Sequence, residues 1–306
     1  MTTLNTSTSA FFERSSLSIG SLRSRLEGLQ AQIGKGERLM RSSDDPVAAS
    51  RLRGLARADT LSAIDMTNAN RANADLTLAD QALSGFADTI QRAQELATQA
   101  ANGTLTPAQR AGIGTELVAI HGNLVALANA RDSSGHALFG GEGSGQAYTL
   151  DAGGNAVYVG TASAGELPLG EGQVVQRGLT GPEFLNFSVN GNPTDLMATI
   201  KTLAESLQGA VPDPAGAARD ALTALNEGLE SATTGQTLVG ARLAWIELTT
   251  NRRENLGELR SSEQAEIGGT DIADTVAQLQ QVMLVLEASQ ASFAKLSGLT
   301  LFDALR

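Results

Sequence analysis

Cysteine is absent from this sequence of 306 residues, and aromatic residues make up only 4% of it. Without thiols the chain has no disulfide, no thiolate nucleophile and no sulfur-bound zinc, although cysteine-free proteins occur both inside and outside cells. Because aromatic side chains are scarce, a buried core must be built from Leu, Ile, Val and Ala. This composition favours helices over β-sandwiches.

Basic residues are also few, because 22 Lys and Arg stand against 33 Asp and Glu and give a net charge of -11. No basic stripe runs along the sequence, so nucleic acid and anionic membrane surfaces are poor partners. No run approaches the roughly 20 apolar residues of a membrane span, and the start of the chain lacks the pattern of a secretory signal peptide. We expect no nucleic-acid partner and no membrane insertion, and we expect the partner to be another protein.

Residues that carry catalysis or bind metals are sparse. The only two histidines, His121 and His136, have neither the spacing nor the carboxylate neighbours of a metal site. The glycine-rich run 141–145 places its serine wrongly for a nucleophile elbow, and no phosphate-binding loop surrounds Gly34. The sequence therefore predicts no enzyme and no catalytic, cofactor-binding or metal-binding residues.

Both ends of the chain carry apolar residues at alternating spacings of three and four, which line one face of a helix in a coiled coil. The N-terminal seam consists of Phe12, Ile19, Leu22, Leu26, Leu29 and Ile33. The C-terminal seam consists of Ile272, Val276, Leu279, Met283, Leu286 and Phe293. We expect the two ends to pair, and because one helical pair hides little apolar surface, we expect neighbouring molecules to cover the rest.

The middle of the chain changes from helical to β-rich and back. A helix is predicted from Pro46 to about Ala101, and a second begins near Pro107 and ends at Ser133–Gly135. Glycine then becomes frequent, and β-prone runs occupy 146–150, 156–160, 172–177 and 184–189. Helical spacing resumes at Leu196, and further helical stretches are predicted at 222–229 and 238–259. The fold predicted is mainly α with a small β-rich insertion, an elongated antiparallel helical bundle or coiled coil formed by the N- and C-terminal segments.

Three domains follow from these changes of pattern. Residues 1–42 and 262–306 form a terminal coiled-coil domain, residues 43–135 and 194–261 form a helical rod, and residues 136–193 form the β-rich insertion. Between the first two lies the run Ser43-Asp44-Asp45-Pro46, where a side-chain oxygen can cap a helix that starts at the proline. This helix break is a better interpretation of the two carboxylates than a catalytic acid and base.

The run at residues 36–52, GERLMRSSDDPVAASRL, resembles the N-terminal signature of the flagellin superfamily. The form Asp-Asp-Pro-Val-Ala-Ala at 44–49 is similar to that of the subunits that join hook to filament, more than to that of filament subunits. Further stretches at 90–110, 127–141, 239–243 and 296–306 resemble the superfamily in the same order. The opening of the chain is closer to a filament subunit, so the resemblance leaves junction and filament subunits open.

The resemblance implies a structural role. In this superfamily the two termini are poorly ordered in the monomer, form a coiled coil in the assembled tube, and leave the cell through the flagellar export apparatus without a cleaved signal. The expected partners are further copies of the chain, a neighbouring hook-associated protein, flagellin and a cytoplasmic export chaperone, and the expected location is the extracellular flagellum. The remote alternative is an exported enzyme with its chemistry in residues 136–236.

The resemblance also implies that the stretch 90–99 contacts an innate-immune receptor. The matching residues are Arg92, Glu95 and Leu96. The alternative interpretation of these residues is an ordinary solvated helix face.

Overall fold

The computed structural model describes residues 3–303, with side chains described for residues 10–209 and 211–295. Its helices are α1 (Thr3–Lys35), α2 (Pro46–Ala100), α3 (Pro107–Ala128), α4 (Gly181–Leu185), α5 (Leu196–Glu205), α6 (Pro214–Gly268) and α7 (Ile272–Asp303). Its strands are β1 (Tyr148–Leu150), β2 (Ala156–Tyr158), β3 (Glu166–Gly170), β4 (Gln173–Gln176), β5 (Asn186–Val189) and β6 (Asn192–Asp195). The prediction of a mainly helical fold with a small β-rich insertion is confirmed.

The chain divides into two compact units. The terminal unit comprises the residues up to Thr60 together with those from Leu256 onwards, and the central unit comprises Leu61–Asn255. The β-rich segment belongs to the central unit in this division. The division into three domains remains a prediction, and its terminal domain includes residues 1–2 and 304–306, which lie outside the described residues.

In the terminal unit α1 and α7 pack against each other in opposite directions. Near one end of the pair the rings of Phe12 and Phe293 meet edge to face with centroids 5.4 Å apart. At the other end Glu37 and Gly269 form an isolated antiparallel bridge. The predicted antiparallel pairing of the two ends is confirmed.

The core of the central unit is built on one face of α2. Residues of α2 that recur at spacings of three and four are all buried there, namely Leu76, Ala79, Leu83, Phe86, Ile90, Ala93 and Ala97. The fully buried ring of Phe86 meets those of Phe139 and Phe184, with centroids 6.2 and 5.2 Å away. Three aromatic rings from distant segments therefore fill the centre of this unit.

The β-rich segment consists of three antiparallel hairpins, β1–β2, β3–β4 and β5–β6. Two of its strands, β3 and β6, were not predicted, and each contains a proline, Pro168 or Pro193. Proline cannot donate to a strand ladder and is tolerated where one side of the strand is unpaired, as in a two-stranded sheet. Residues 184–185, which were expected in a strand, instead end the short helix α4.

Helix α6 is longer than the sequence indicates. Separate helical stretches at 222–229 and 238–259 were predicted, but α6 continues without a break from Pro214 to Gly268. Gly228 and Gly235 lie inside this helix. A Cβ on Gly228 would come within 2.8 Å of Leu196, and a Cβ on Gly235 would come within 3.0 Å of Phe184. These glycines permit close packing, and the gain from burial outweighs their low helix propensity.

Within the described residues one helix, α3, is long and apolar enough to cross a membrane by length and composition. The prediction that no segment approaches a membrane span is therefore wrong on these criteria. The helix buries Leu117, Ile120 and Leu124, and it packs against α5. These three apolar residues thus face the protein core, whereas Val118 is exposed.

Candidate assembly interface

Two backbone hydrogen bonds, which we call the staple, hold one end of the α1–α7 pair together. The Arg38 amide donates to the Gly268 carbonyl at 2.7 Å, and the Thr270 amide donates to the Gly36 carbonyl at 3.0 Å. Gly36 ends α1 with a φ of 71°, a conformation that favours glycine. A Cβ on Gly269 would lie 2.3 Å from the Ala265 carbonyl oxygen, so this position requires glycine.

On α1 the predicted seam faces the partner helix. Leu29 is buried, and the other members of the seam are partly buried, namely Phe12, Ile19, Leu22, Leu26 and Ile33. The row at spacings of three and four is therefore the row that packs within the chain. Its part in assembly between molecules remains a prediction.

On α7 the face covered within the chain coincides only in part with the predicted assembly seam. Val276, Leu279, Leu286 and Phe293 are partly buried as expected, but Ile272 and Met283 are exposed. The observed row consists of Thr275, Leu279, Val282, Leu286, Ser289 and Phe293. Two rows share residues on this helix, and the polar members of the observed row made it hard to identify from the sequence.

Several large apolar side chains of the pair remain in contact with solvent. They are Phe11 and Leu17 on α1 and Ile272, Met283, Leu284 and Val285 on α7. Leu17 and Leu284 are 70% and 69% exposed. A helical pair with this much uncovered apolar surface is suited to packing against further helices.

The two carboxylates of the helix break before α2 accept hydrogen bonds from different backbone amides. Asp45 is the cap, because its Oδ1 accepts a hydrogen bond from the Ala48 amide at 3.0 Å. Asp44 instead turns back, and its Oδ2 accepts from the amides of Met40 and Arg41 at 3.2 and 2.8 Å. The cap lies directly before Pro46, and Ser43 and Asp44 are not the residues that supply it.

Replacing Asp45 with alanine is expected to destabilise the first turn of α2 by about 1 kcal/mol, because the Ala48 amide loses its partner. Hydrogen exchange at that amide should quicken. Asp45→Ser, which retains a capping oxygen, should restore most of the protection. Asp44→Ala should instead quicken exchange at Met40 and Arg41; fast exchange at Ala48 in that variant would contradict the assignment.

The predicted receptor-contact residues do not form one accessible surface. Arg92 is exposed and pairs with Glu95 at 2.8 Å and with Glu116 at 2.7 Å. Leu96 is only 1% exposed and belongs to the core. A surface contact through the Leu96 side chain is therefore excluded in this fold, and receptor binding through the other two residues remains a prediction.

A buried charge cluster lies in the central unit and was not predicted. Arg177 donates to Asp75 at 2.8 Å and to Asp132 at 2.9 Å, and the side chains of these aspartates are only 8% and 4% exposed. Burial favours the neutral acid of Asp132. Hydrogen bonds from the His136 and Ser134 amides, helped by the nearby charges of His136 and Arg177, outweigh burial and lower the pKa of Asp132.

Both histidines lie in the central unit. His136 places its Nδ1 3.6 Å from Asp132. His121 is buried, and desolvation together with the charge of Lys201 lowers the pKa of its imidazole. Within the described residues no group of three or more His, Asp and Glu side chains has the arrangement of a metal site.

Comparison with known proteins agrees with this geometry. Residues 5–144 match the family described as bacterial flagellin N-terminal helical region. Flagellar hook-associated protein 3 from Escherichia coli K12 is 27% identical over 292 residues, which cover 89% of this chain and 90% of that protein. Over most of its length the chain is thus similar to hook-associated protein 3.

Solved structures show that this relationship extends to the fold. A flagellar hook-associated protein from Vibrio parahaemolyticus matches with a TM-score of 0.68 and 21% identity over 74% of this chain and 100% of that one. The flagellar junction protein from Legionella pneumophila matches with a TM-score of 0.60 and 15% identity over 71% and 99% of the two chains. The relatives of hook-associated protein 3 thus share this mainly helical architecture.

Proposed function

We propose that the chain is a structural subunit of the bacterial flagellum that self-associates through α1 and α7 at the junction between hook and filament. Its partners there are further copies of itself, a neighbouring hook-associated protein and flagellin. It reaches this extracellular position through the flagellar export route with the help of a cytoplasmic chaperone. The resemblance to hook-associated protein 3 over most of the chain supports this location over a subunit of the filament.

The observation that carries the proposal is the uncovered apolar surface of the α1–α7 pair. Among the described side chains of the pair, six large apolar ones are exposed in the single chain. Covering a Leu, Ile, Met or Phe side chain contributes about 1.5 to 3 kcal/mol, less the cost of ordering it. Packing of several copies around a common axis supplies that cover.

No comparable observation favours an enzyme. The relatives are flagellar structural proteins, and the buried charges of Arg177, Asp75 and Asp132 are paired with one another. The hydrogen bonds of Arg177 connect α2 and the loop after α3 to the end of β4. This arrangement holds segments of the chain together.

Immunogold electron microscopy of flagella on swimming cells tests the location. An antibody against residues 136–193 should label only a short zone at the base of each filament, just beyond the hook. Label along the whole filament would assign the chain to the filament. Label nowhere on the flagellum would refute a structural role in it.

Replacing Leu284 with glutamate tests the assembly surface. Because this side chain is exposed in the single chain, the variant should keep its helix content and melting temperature. Incorporation into flagella should be lost, because assembly would bury an unpaired carboxylate. The control is Val118→Glu, which changes an exposed apolar residue on α3. Full motility of a strain that carries only Leu284→Glu would contradict the proposal.

A further inference from the structure

His121 is a titratable residue inside the apolar contact between α3 and α5. It lies in the buried row of α3, between Leu117 and Leu124, and only 8% of its surface is exposed. Gly114 precedes it by seven residues and lies on the same face of the helix. A Cβ on Gly114 would come within 2.9 Å of the Ala204 carbonyl oxygen of α5, so the two helices pack closely here. This close contact encloses the His121 ring.

One ring nitrogen of His121 is buried without a partner. Its Nε2 atom is inaccessible to solvent and has no hydrogen-bond partner among the described residues. In the neutral ring this nitrogen can be the unprotonated one, whereas the imidazolium would carry an N–H group and a charge at this position. Burying an unpaired charged donor costs more than burying an unpaired lone pair. The surroundings of the ring therefore favour neutral histidine.

The charged groups on the facing elements add to this preference. Lys201 of α5 acts on the imidazole with its positive charge, and its Nζ lies 2.6 Å from Glu205 Oε1. The same ammonium group acts on Asp151 in the turn between β1 and β2. The segment Ser206–Ala210, which also packs on α3, has no ionisable residue. Desolvation, helped by the charge of Lys201, lowers the pKa of His121.

We propose that His121 is an acid-sensitive switch whose protonation separates α3 from α5. The neutral ring fits the apolar contact, whereas the imidazolium is a buried charge that faces the Lys201 ammonium group. The open chain takes up this proton at a higher pH than the closed chain. The stability that neutral His121 contributes is therefore present above about pH 6.5 and is lost as pH falls below that value. This switch does not depend on the proposed role in the flagellum.

The other titratable group at this end of α5 has the opposite effect. Asp195 caps the helix, with its Oδ1 accepting from the Ala198 amide at 2.8 Å, and burial raises the pKa of its carboxyl group. Because the folded chain holds this proton more tightly than the unfolded chain, acidification strengthens the fold at Asp195. Most other carboxyl groups titrate near about pH 4. Opening of α3 and α5 in weak acid can therefore be assigned to His121.

Hydrogen exchange of the full chain at about pH 7.5 and about pH 5.5, corrected for intrinsic exchange rates, tests the switch. The equilibrium constant for opening at amides of α3 and α5 should rise about tenfold in acid, because each pH unit below about 6.5 favours the protonated open form by that factor. His121→Phe and His121→Asn cannot take up the proton and should abolish the rise. His136→Asn, which removes the other histidine, should retain it.

The proton itself can be followed because the chain has only two histidines. In His136→Asn protein that carries isotope-labelled histidine, the remaining imidazole resonance should keep its neutral position well below about pH 6.5. Adding Lys201→Gln, which removes the facing cation, should move the midpoint of its titration to higher pH. An opening constant that does not rise in acid, or a rise that persists in both His121 variants, overturns the inference. So does an imidazole that titrates at or above about pH 6.5, or a midpoint that Lys201→Gln leaves unmoved.

Discussion

Replacing Arg177 with methionine is expected to lower the free energy of unfolding by about 3 kcal/mol, among the largest effects of any single change to this protein. Methionine keeps most of the length of the side chain but removes the charge and both hydrogen bonds. Asp75 and Asp132 then remain nearly inaccessible to water without their counter-ion. An uncompensated buried carboxylate costs more than the ion pair contributed.

Urea unfolding followed by circular dichroism measures this effect, and the melting temperature should fall by roughly 10 °C. The matched control is Arg92→Met, whose pairs with Glu95 and Glu116 are exposed, and little change is expected there. Equal destabilisation by both substitutions would show that burial of the Arg177 cluster is unimportant.

The pH dependence of the free energy of unfolding supplies a second test of the Arg177 cluster. Because the pKa of Asp132 is lowered in the folded chain, its contribution to stability is present above about pH 4 and is lost as pH falls through the folded pKa. In Arg177→Met, protonation of Asp132 removes the unpaired charge. The difference in stability between wild type and variant should therefore shrink on acidification. A difference that grows below pH 4 would contradict the cluster as described.

Replacing Phe184 with alanine is expected to cost about 3 to 5 kcal/mol. Its ring is fully buried and contacts Phe139 with centroids 4.9 Å apart and Phe86 with centroids 5.2 Å apart. Gly235 of α6 lies against the same side chain and has no Cβ that could fill the space left behind. Loss of the ring therefore leaves a cavity among three segments of the core.

Thermal unfolding tests this prediction, with Phe11→Ala as the control. Phe11 is 45% exposed on α1, so its truncation should leave the melting temperature nearly unchanged. Phe184→Leu, which keeps much of the volume, should recover part of the lost stability. Phe184→Ala with wild-type stability would mean that the three rings do not form the centre of the core.

The starts of α2, α3 and α5 could be predicted from local chemistry. Pro46 and Pro107 occupy first-turn positions where the missing N–H costs nothing, and Asp195 caps α5 just before Leu196. The buried face of α2 could be predicted because every member of its row from Leu76 to Ala97 is apolar. These features depend on neighbours within one or two helical turns.

The covered face of α7 could not be assigned from its pattern. Ile272 and Met283 are apolar but exposed, whereas Thr275 is polar and buried. The choice between the two rows depends on the position of α1, which lies more than 230 residues earlier in the sequence. Hydrophobic spacing identifies possible contact rows, and only the packed partner selects one.

The Arg177 cluster also depends on contacts between residues that are distant in the sequence. Asp75 and Asp132 precede Arg177 by 102 and 45 residues, and no local pattern associates the three side chains. The end of α3 shows the same limit. The helix ends at Ala128, ahead of the expected Ser133–Gly135, and the Asn129 side chain accepts hydrogen bonds from the amides of Ala147 and Tyr148. A tertiary contact thus ends a helix that its own sequence would continue.

The staple between Gly36–Arg38 and Gly268–Thr270 sets the order in which the terminal helices separate. Both helices of the pair are anchored at the same end, so the staple fixes their alignment there. Separation of the two helices is therefore expected to start at the opposite end, where Phe12 and Phe293 meet, and to proceed toward the staple. A subunit whose helices have parted at that end keeps the alignment it needs to close again, so opening to admit a neighbour leaves the pairing register intact.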